Sequence, residues 1–258
     1  MPALLSATDH PTLVFVASAL LLILAAWMGA GVVTRLRGLG ERTSEYFAII
    51  VAANLTLLAL VIGFTFSMAA SRYDQRKNFE EEEANAIGTE YLRADLLPAA
   101  DAARVRETLK AYLGERILFY TTRDERQLRE VDLRTARLQR ELWSAILGAA
   151  RAAPTPTTAL AVSGMNDVLN TQGYSQAAWL NRIPPGAWVL MLAIAISGNV
   201  LIGYGARGAG KERRLFVILP VVVAISFFLI ADIDSPRNGL ILVHPVNLVS
   251  LADSLRTP

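Results

Sequence analysis

The sequence has no cysteine, and only 2 histidines and 3 lysines among its 258 residues. The missing cysteines exclude disulfides, thiolate nucleophiles, iron–sulfur clusters and cysteine zinc sites, and they leave the redox compartment open. His10 and His244 lie far apart, and neither has a His or carboxylate at helical ligand spacing. No metal centre is therefore expected, nor a Ser, His and Asp constellation, and no cofactor or enzymatic carrier is visible. Charge is also scarce. Charged residues make up 19% of the chain, and the net charge of +2 contains no basic block, which argues against electrostatic binding of nucleic acid. The basic residues are 22 Arg against 3 Lys, a bias that reads as a high-GC bacterial genome.

What the chain does have is apolar residues, 53% of the total with a mean hydropathy of +0.37, and they are clustered. A helix needs about 20 apolar residues to cross the hydrocarbon layer of a bilayer. Four uncharged runs approach or exceed that length: residues 13–34, 46–71, 186–206 and 215–231. No Lys or Arg precedes the first run, and its apolar core exceeds that of a cleaved signal, so it reads as a retained span. Trp27, Tyr46, Trp188 and Tyr204 fall near run ends, where amphipathic rings prefer the headgroup layer. Pro220 is expected to kink the fourth run unless neighbours satisfy the freed carbonyl. The short connections carry Arg35, Arg37 and Arg42, and then Arg207, Lys211, Arg213 and Arg214, which places both on the cytoplasmic side. Arg72, Arg76 and Lys77, just past the second run, pull the other way.

Residues 72–185 carry 16 basic and 16 acidic residues and read as helical throughout. The second span has no breaker before Pro98, so it is expected to continue as one rod through Glu80, Glu81, Glu82, Glu83 and Tyr91. A helix capped by Asp101 follows, with Val105, Leu109, Tyr112, Leu113, Ile117 and Tyr120 at spacings of three and four. Another covers about 122–152, with Val131, Leu138, Leu142 and Ile146 on one face and solvated charges on the other. Pro154 and Pro156 break the chain, and a third helix restarts at Thr157 or Thr158 with Met165, Val168, Leu169 and Trp179. The tail, 240–251, is too interrupted to span. The expected class is all-α: a polytopic membrane protein with four transmembrane helices and a helical bundle inserted between the second and third. Its divisions are 1–71, 72–185, 186–231 and 232–258.

Two motifs fail on context. Gly205-Ala-Arg-Gly-Ala-Gly210-Lys211 has Glu212 where a phosphate-binding loop needs Ser or Thr, and it follows a span instead of a strand. Asn54-Leu-Thr56 matches a glycosylation acceptor but lies inside an apolar run. The second span itself is more informative. Asn54, Leu58, Val61, Thr65 and Met68 share one helical face, which Arg72, Phe79 and Glu83 continue. Thr56, Ala59, Gly63, Ser67 and Ala70 form a small-residue face suited to close helix packing. The first stripe has two readings: a pore, with identical helices ringing an axis and closing it by dewetting, or packing within a four-helix bundle. Asp232 and Asp234 end the fourth run, where carboxylates are costly unless hydrated, paired with Arg237 or Arg72, or bound to an ion.

The stretch Arg72-Tyr-Asp-Gln-Arg76-Lys-Asn-Phe-Glu-Glu-Glu-Glu83-Ala-Asn-Ala-Ile-Gly88-Thr-Glu-Tyr91-Leu-Arg-Ala-Asp-Leu-Leu-Pro98 resembles the hallmark of the bacterial bestrophin-like proteins of the DUF4239 family. Asp232-Ile-Asp234-Ser-Pro236-Arg-Asn-Gly239 resembles that family's second hallmark. The family is distantly similar to bestrophins, pentameric anion channels with four membrane helices, a helical domain between the second and third, and a pore neck lined by the second. The resemblance thus implies a homo-oligomer, a pentamer by analogy, in a bacterial inner membrane. Asn54, Leu58, Val61, Thr65 and Met68 would line its pore, Arg72 and Glu83 would set the vestibule charge, and Asp232 and Asp234 would bind an ion or shape the outer layer. The permeant ion is open, since acids at 80–83 around an axis favour cations. The alternative is a non-conducting membrane scaffold or sensor whose helical domain binds a partner or ligand.

Overall fold

The computed structural model describes residues 9–33, 43–205 and 217–256, and the described residues are mostly helical, with no strand among them. The helices are α1 (Pro11–Met28), which passes into a π-helical turn Gly29–Val33; α2 (Thr43–Arg93), which ends in a 3-10 turn Ala94–Leu96; α3 (Ala99–Thr121); α4 (Glu125–Ala152); α5 (Pro156–Leu180); α6 (Pro185–Gly205); α7 (Ile218–Asp234); and α8 (Val246–Ser254). Helix α2 is one element of 51 residues, about 75 Å long at the usual rise per residue. Pro98 alone ends the expected rod, and the helix stops one turn short of it because the residue before a proline avoids the α region.

Three helical stretches are long and apolar enough to cross a membrane: Pro11–Gly31, Tyr46–Leu96 and Pro156–Gly205. In the second the long uncharged run is 46–71, and in the third it lies in α6. The fourth apolar run forms α7, with 17 residues. Pro220, expected to kink this run, lies in the first turn of the helix, which begins at Ile218, a place where proline is tolerated. The connections whose arginines bear on orientation, 34–42 and 206–216, lie outside the described residues, as does most of the loop containing Gly210 and Lys211.

The chain divides into two compact units, Met1–Ser71 with Arg182–Leu242, and Arg72–Asn181 with Val243–Pro258. In the first, α1 packs on both α6 and α7. The crossing of α1 and α6 is backbone-close. A Cβ on Gly203 would fall on the Ala26 carbonyl, and one on Gly29 on the Val200 carbonyl, the small-residue contact that membrane helices use because lipid offers no hydrophobic drive to association. Leu22, Met191, Ala195, Ala224, Phe227 and Ile230 are buried there, while Leu20, Leu24, Leu57, Leu60, Phe64 and Val189 are exposed.

The second unit has an apolar core of the soluble kind. Its centre is Val105, Leu109, Tyr112 and Leu113 of α3, Val131, Leu142 and Ile146 of α4, Met165 and Val168 of α5, and Ile87 of α2. These are nearly all stripe residues read from the sequence at helical spacing. Helix α3 starts at Ala99 after Pro98, so Asp101 lies in its first turn and does not cap it; there it faces the positive end of the helix dipole. Helix α4 is capped by Asp124, which accepts from the N–H of Arg126 and of Gln127, both at 2.9 Å. Helix α5 starts at Pro156, one or two residues earlier than expected, on a Thr155 and Thr158 capping box. The tail joins this core through Val243 and Leu248.

Candidate functional site

The stripe on the second span occupies the face of α2 that the first unit buries. Leu58 is 3% exposed and Thr65 also 3%, and the Thr65 hydroxyl donates to the Val61 carbonyl at 2.8 Å, so its own helix satisfies it. Asn54 Nδ2 donates to Ser197 Oγ of α6 at 2.9 Å. Gly198 makes room for this contact, since a Cβ there would lie 2.5 Å from Asn54 Oδ1. Val61 is half-buried, and Met68, at the edge of the stripe, is exposed. The stripe is therefore largely a packing face within the protomer. On the opposite side of α2, Thr56, Ala59, Gly63 and Ser67 are exposed, with the Thr56 hydroxyl returned to the Ala52 carbonyl at 2.9 Å. That face is small, hydroxylated and uncovered by the chain itself.

Asp232 and Asp234 are both buried, at 2% and 1% exposure, and each is a hub for backbone. Asp232 accepts from the N–H of Leu240 at 2.6 Å and of Ile241 at 2.9 Å. Gly239 is needed for that turn, because a Cβ there would lie 2.5 Å from the Asp232 carbonyl oxygen. Asp234 accepts from Arg182 Nε at 2.9 Å and from the Ile183 N–H at 3.2 Å. Arg182 in turn pairs with Asp9, whose carbonyl accepts from the Ser235 hydroxyl at 3.3 Å. The second hallmark thus ties the end of α7 to the start of α6 and to the residue ahead of α1. Arg182 holds Asp234 from 52 positions away, a partner that no spacing rule could have named. No group of three or more His, Asp or Glu suited to a metal occurs among the described residues.

In the second unit, Glu83 is fully buried and its charge is taken by Arg116, itself fully buried. Tyr120 donates to Glu83 at 3.3 Å and shares a 2.7 Å hydrogen bond with Ser175. Burial, and then the Glu83 charge, push the Tyr120 hydroxyl well above its ordinary range, so it stays a donor. The Arg116 guanidinium lies 4.4 Å over the Phe119 ring, beside Trp179 and Tyr120. Glu83 thus offers no free charge to solvent. Arg72 is half-buried, and its carbonyl accepts from Arg76 Nε at 3.3 Å. Glu80, one turn before Glu83, accepts from the Leu248 N–H at 2.9 Å and from Asn247 Nδ2 at 2.7 Å, holding the start of α8. Of the four successive acids, Glu80 and Glu83 are internal, and Glu81 and Glu82 are exposed.

The family model for the bestrophin-like domain matches residues 16–248. The chain belongs to the bestrophin-like family. Solved structures agree with this assignment in fold. A bacterial bestrophin homologue from Klebsiella pneumoniae carrying a single substitution superposes with a TM-score of 0.60 at 15% identity, covering 95% of this chain and 96% of that one. The structure of the Klebsiella homologue phased on zinc gives 0.59 at 16%, covering 93% and 97%. A further neighbour, described as a membrane protein, gives 0.61 at 15%, covering 92% and 98%. No curated protein matches. The long apolar helices and these neighbours mark the chain as a membrane protein of bestrophin-like fold.

Proposed function

We propose that this bestrophin-like protein is an ion channel of the bacterial cell membrane, built as a homo-oligomer, a pentamer by analogy with bestrophins, around α2. In this reading the chain crosses the membrane four times, 186–206 and 215–231 supply the last two spans, and 72–185 is the helical insert. One observation carries it: α2 is packed on one face only, and the face turned away from its own protomer is Thr56, Ala59, Gly63 and Ser67, small and hydroxylated within an otherwise apolar span. Such a face suits water and ions better than lipid. The stripe Asn54, Leu58, Val61, Thr65 and Met68 then acts from behind, holding α2 at its angle, with Met68 the one of the five that is exposed, at the edge of the stripe. Glu83 acts likewise, fixing α2 to α3 through Arg116, and Arg72 borders the vestibule. Asp232 and Asp234 shape the layer at the end of α7.

The test uses a property of the chain itself. Without native cysteines, single cysteines at Thr56, Gly63 and Ser67, and as controls at Leu58 and Thr65, can be treated with a charged thiol reagent during flux of anions or cations from liposomes. A closed ring of four or more subunits in native mass spectrometry, with block at the first three positions, is the expected result. A monomer or dimer, or block only at Leu58 and Thr65, overturns the lining. A non-conducting sensor is the second reading. It is favoured by a cavity of about 480 Å³ in the second unit, bounded by Asn85, Gly88, Thr89, Asn247 and Ser254, and it gains if no flux is found.

A further inference from the structure

Three glutamates, Glu80, Glu83 and Glu90, lie on the same face of α2 at helical spacing, and all three are buried. Two of them are satisfied: Glu80 by the start of α8, and Glu83 by Arg116 and Tyr120. Glu90 is 0% exposed, and neither of its carboxyl oxygens has a hydrogen-bond partner. Its side chain lies against Gly164 of α5, where a Cβ would collide with Glu90 Oε2 and stand 2.5 Å from Arg93 Nη1. Arg93 is near, yet no ion pair joins it to Glu90. Beside them is a cavity of about 290 Å³ lined by Asn85, Thr89, Arg93, Gly164 and Asp167.

An ionised carboxylate with no partner is among the costliest groups a protein can bury, and the usual escape is to stay neutral. We propose that Glu90 is a proton-binding site held as a neutral carboxylic acid, and that its ionisation on a rise in pH is the event that loosens α5 from α2. Burial pushes the Glu90 carboxyl up to about 8, with Arg93 pulling it down and Asp167 pushing it further up. These two are the charged groups acting on it: Arg93 one turn along its own helix and Asp167 on α5. From α3, Arg106 is engaged by Asp95 and by the Tyr91 carbonyl. Because the folded value is raised above the ordinary 4.5, the contribution to stability is complete below that ordinary value and is lost as pH climbs through about 8. The cavity gives water a short way in once α5 gives. Glu90 lies 19 residues beyond the apolar run 46–71, and the proton site stands whether or not the protein conducts.

The test is on the full chain in detergent or nanodiscs, with wild type and Glu90→Gln compared. Infrared difference spectra of the wild type between about pH 6 and about pH 9 are expected to show loss of a protonated-carboxyl carbonyl band that the variant lacks. Hydrogen-exchange protection of 156–180, corrected for intrinsic rates, is expected to fall about tenfold per pH unit above the midpoint in the wild type and to stay flat in the variant. The proposal is overturned if the wild type has no carboxyl band that titrates in this range, a result that needs no folded variant. It is equally overturned if Glu90→Gln keeps the band or loses protection in parallel with the wild type.

Discussion

The two units of this chain place their residues by opposite rules. In the unit of α1, α6, α7 and the first half of α2, large apolar side chains such as Leu20, Leu57 and Phe64 are outside, while Ser18, Asn199, Asp232 and Asp234 are inside. In the unit of α3, α4 and α5 the core is Val, Leu, Ile and Met, and charges such as Arg129 and Glu125 are outside. The difference follows from the solvent. Lipid accepts the apolar surface of the first unit, so its interior is selected for close backbone approach and for satisfied polar groups. Water drives the second unit together by apolar burial. Yet both units enclose acids that need partners, and those acids offer the sharpest ways to break the contrast.

The largest effect is expected in the water-driven unit. Glu83→Ala would leave Arg116 buried without its carboxylate, at a cost of about 3–5 kcal/mol, read as a loss of thermal stability. A conserved response in Glu83→Gln would show that hydrogen bonding outweighs charge there. Next, Leu58→Ala is expected to cost about 2–5 kcal/mol while Leu57→Ala, one position round the same helix and exposed, costs close to nothing. Equal effects in a steric-trapping or denaturation assay would break the claim that α2 is one-sided. Asp232→Asn removes the charge that holds the Leu240 and Ile241 N–H groups. A loss of about 1–3 kcal/mol is expected, with faster exchange at those two amides as the marker. Smallest is Glu125→Ala, whose partner Arg129 is 65% exposed at 3.7 Å; under about 0.5 kcal/mol is expected, and a larger value would mean that the surface of α4 is covered in the assembled protein.

The helices themselves were legible because each has a local cause. Uncharged runs marked α1, the first half of α2, α6 and α7, and stripes at spacings of three and four named the core residues of α3, α4 and α5. Boundaries shifted where a cap outranked the pattern, as at Asp124 and Thr155. The candidate site was legible only in outline. Asp232 and Asp234 stood out as acids at a span end, but their roles as backbone acceptors depended on Gly239 and Arg182, which no periodicity links to them. Glu90 gave no signal at all, since one glutamate in a charged helical stretch looks solvated until the opposite helix is known to present a glycine.

What the sequence determined by itself is the set of helices and which of them can live in lipid, because helix formation, capping and hydropathy depend on residues within a few turns of one another. Which face of α2 is inside was decided by the tertiary structure. Large apolar residues stand on both the buried side of the span, as Leu58, and its exposed side, as Leu57, Leu60 and Phe64, so hydropathy alone does not orient it, and the close contact of Asn54 with Ser197 and Gly198 makes the choice. The pairing of acids was decided there too. Glu83 finds Arg116 at a separation of 33 residues, and Glu90 at the same helical face finds no partner. Charge satisfaction is a property of what the fold brings across a helix interface, and that information is not local in the chain.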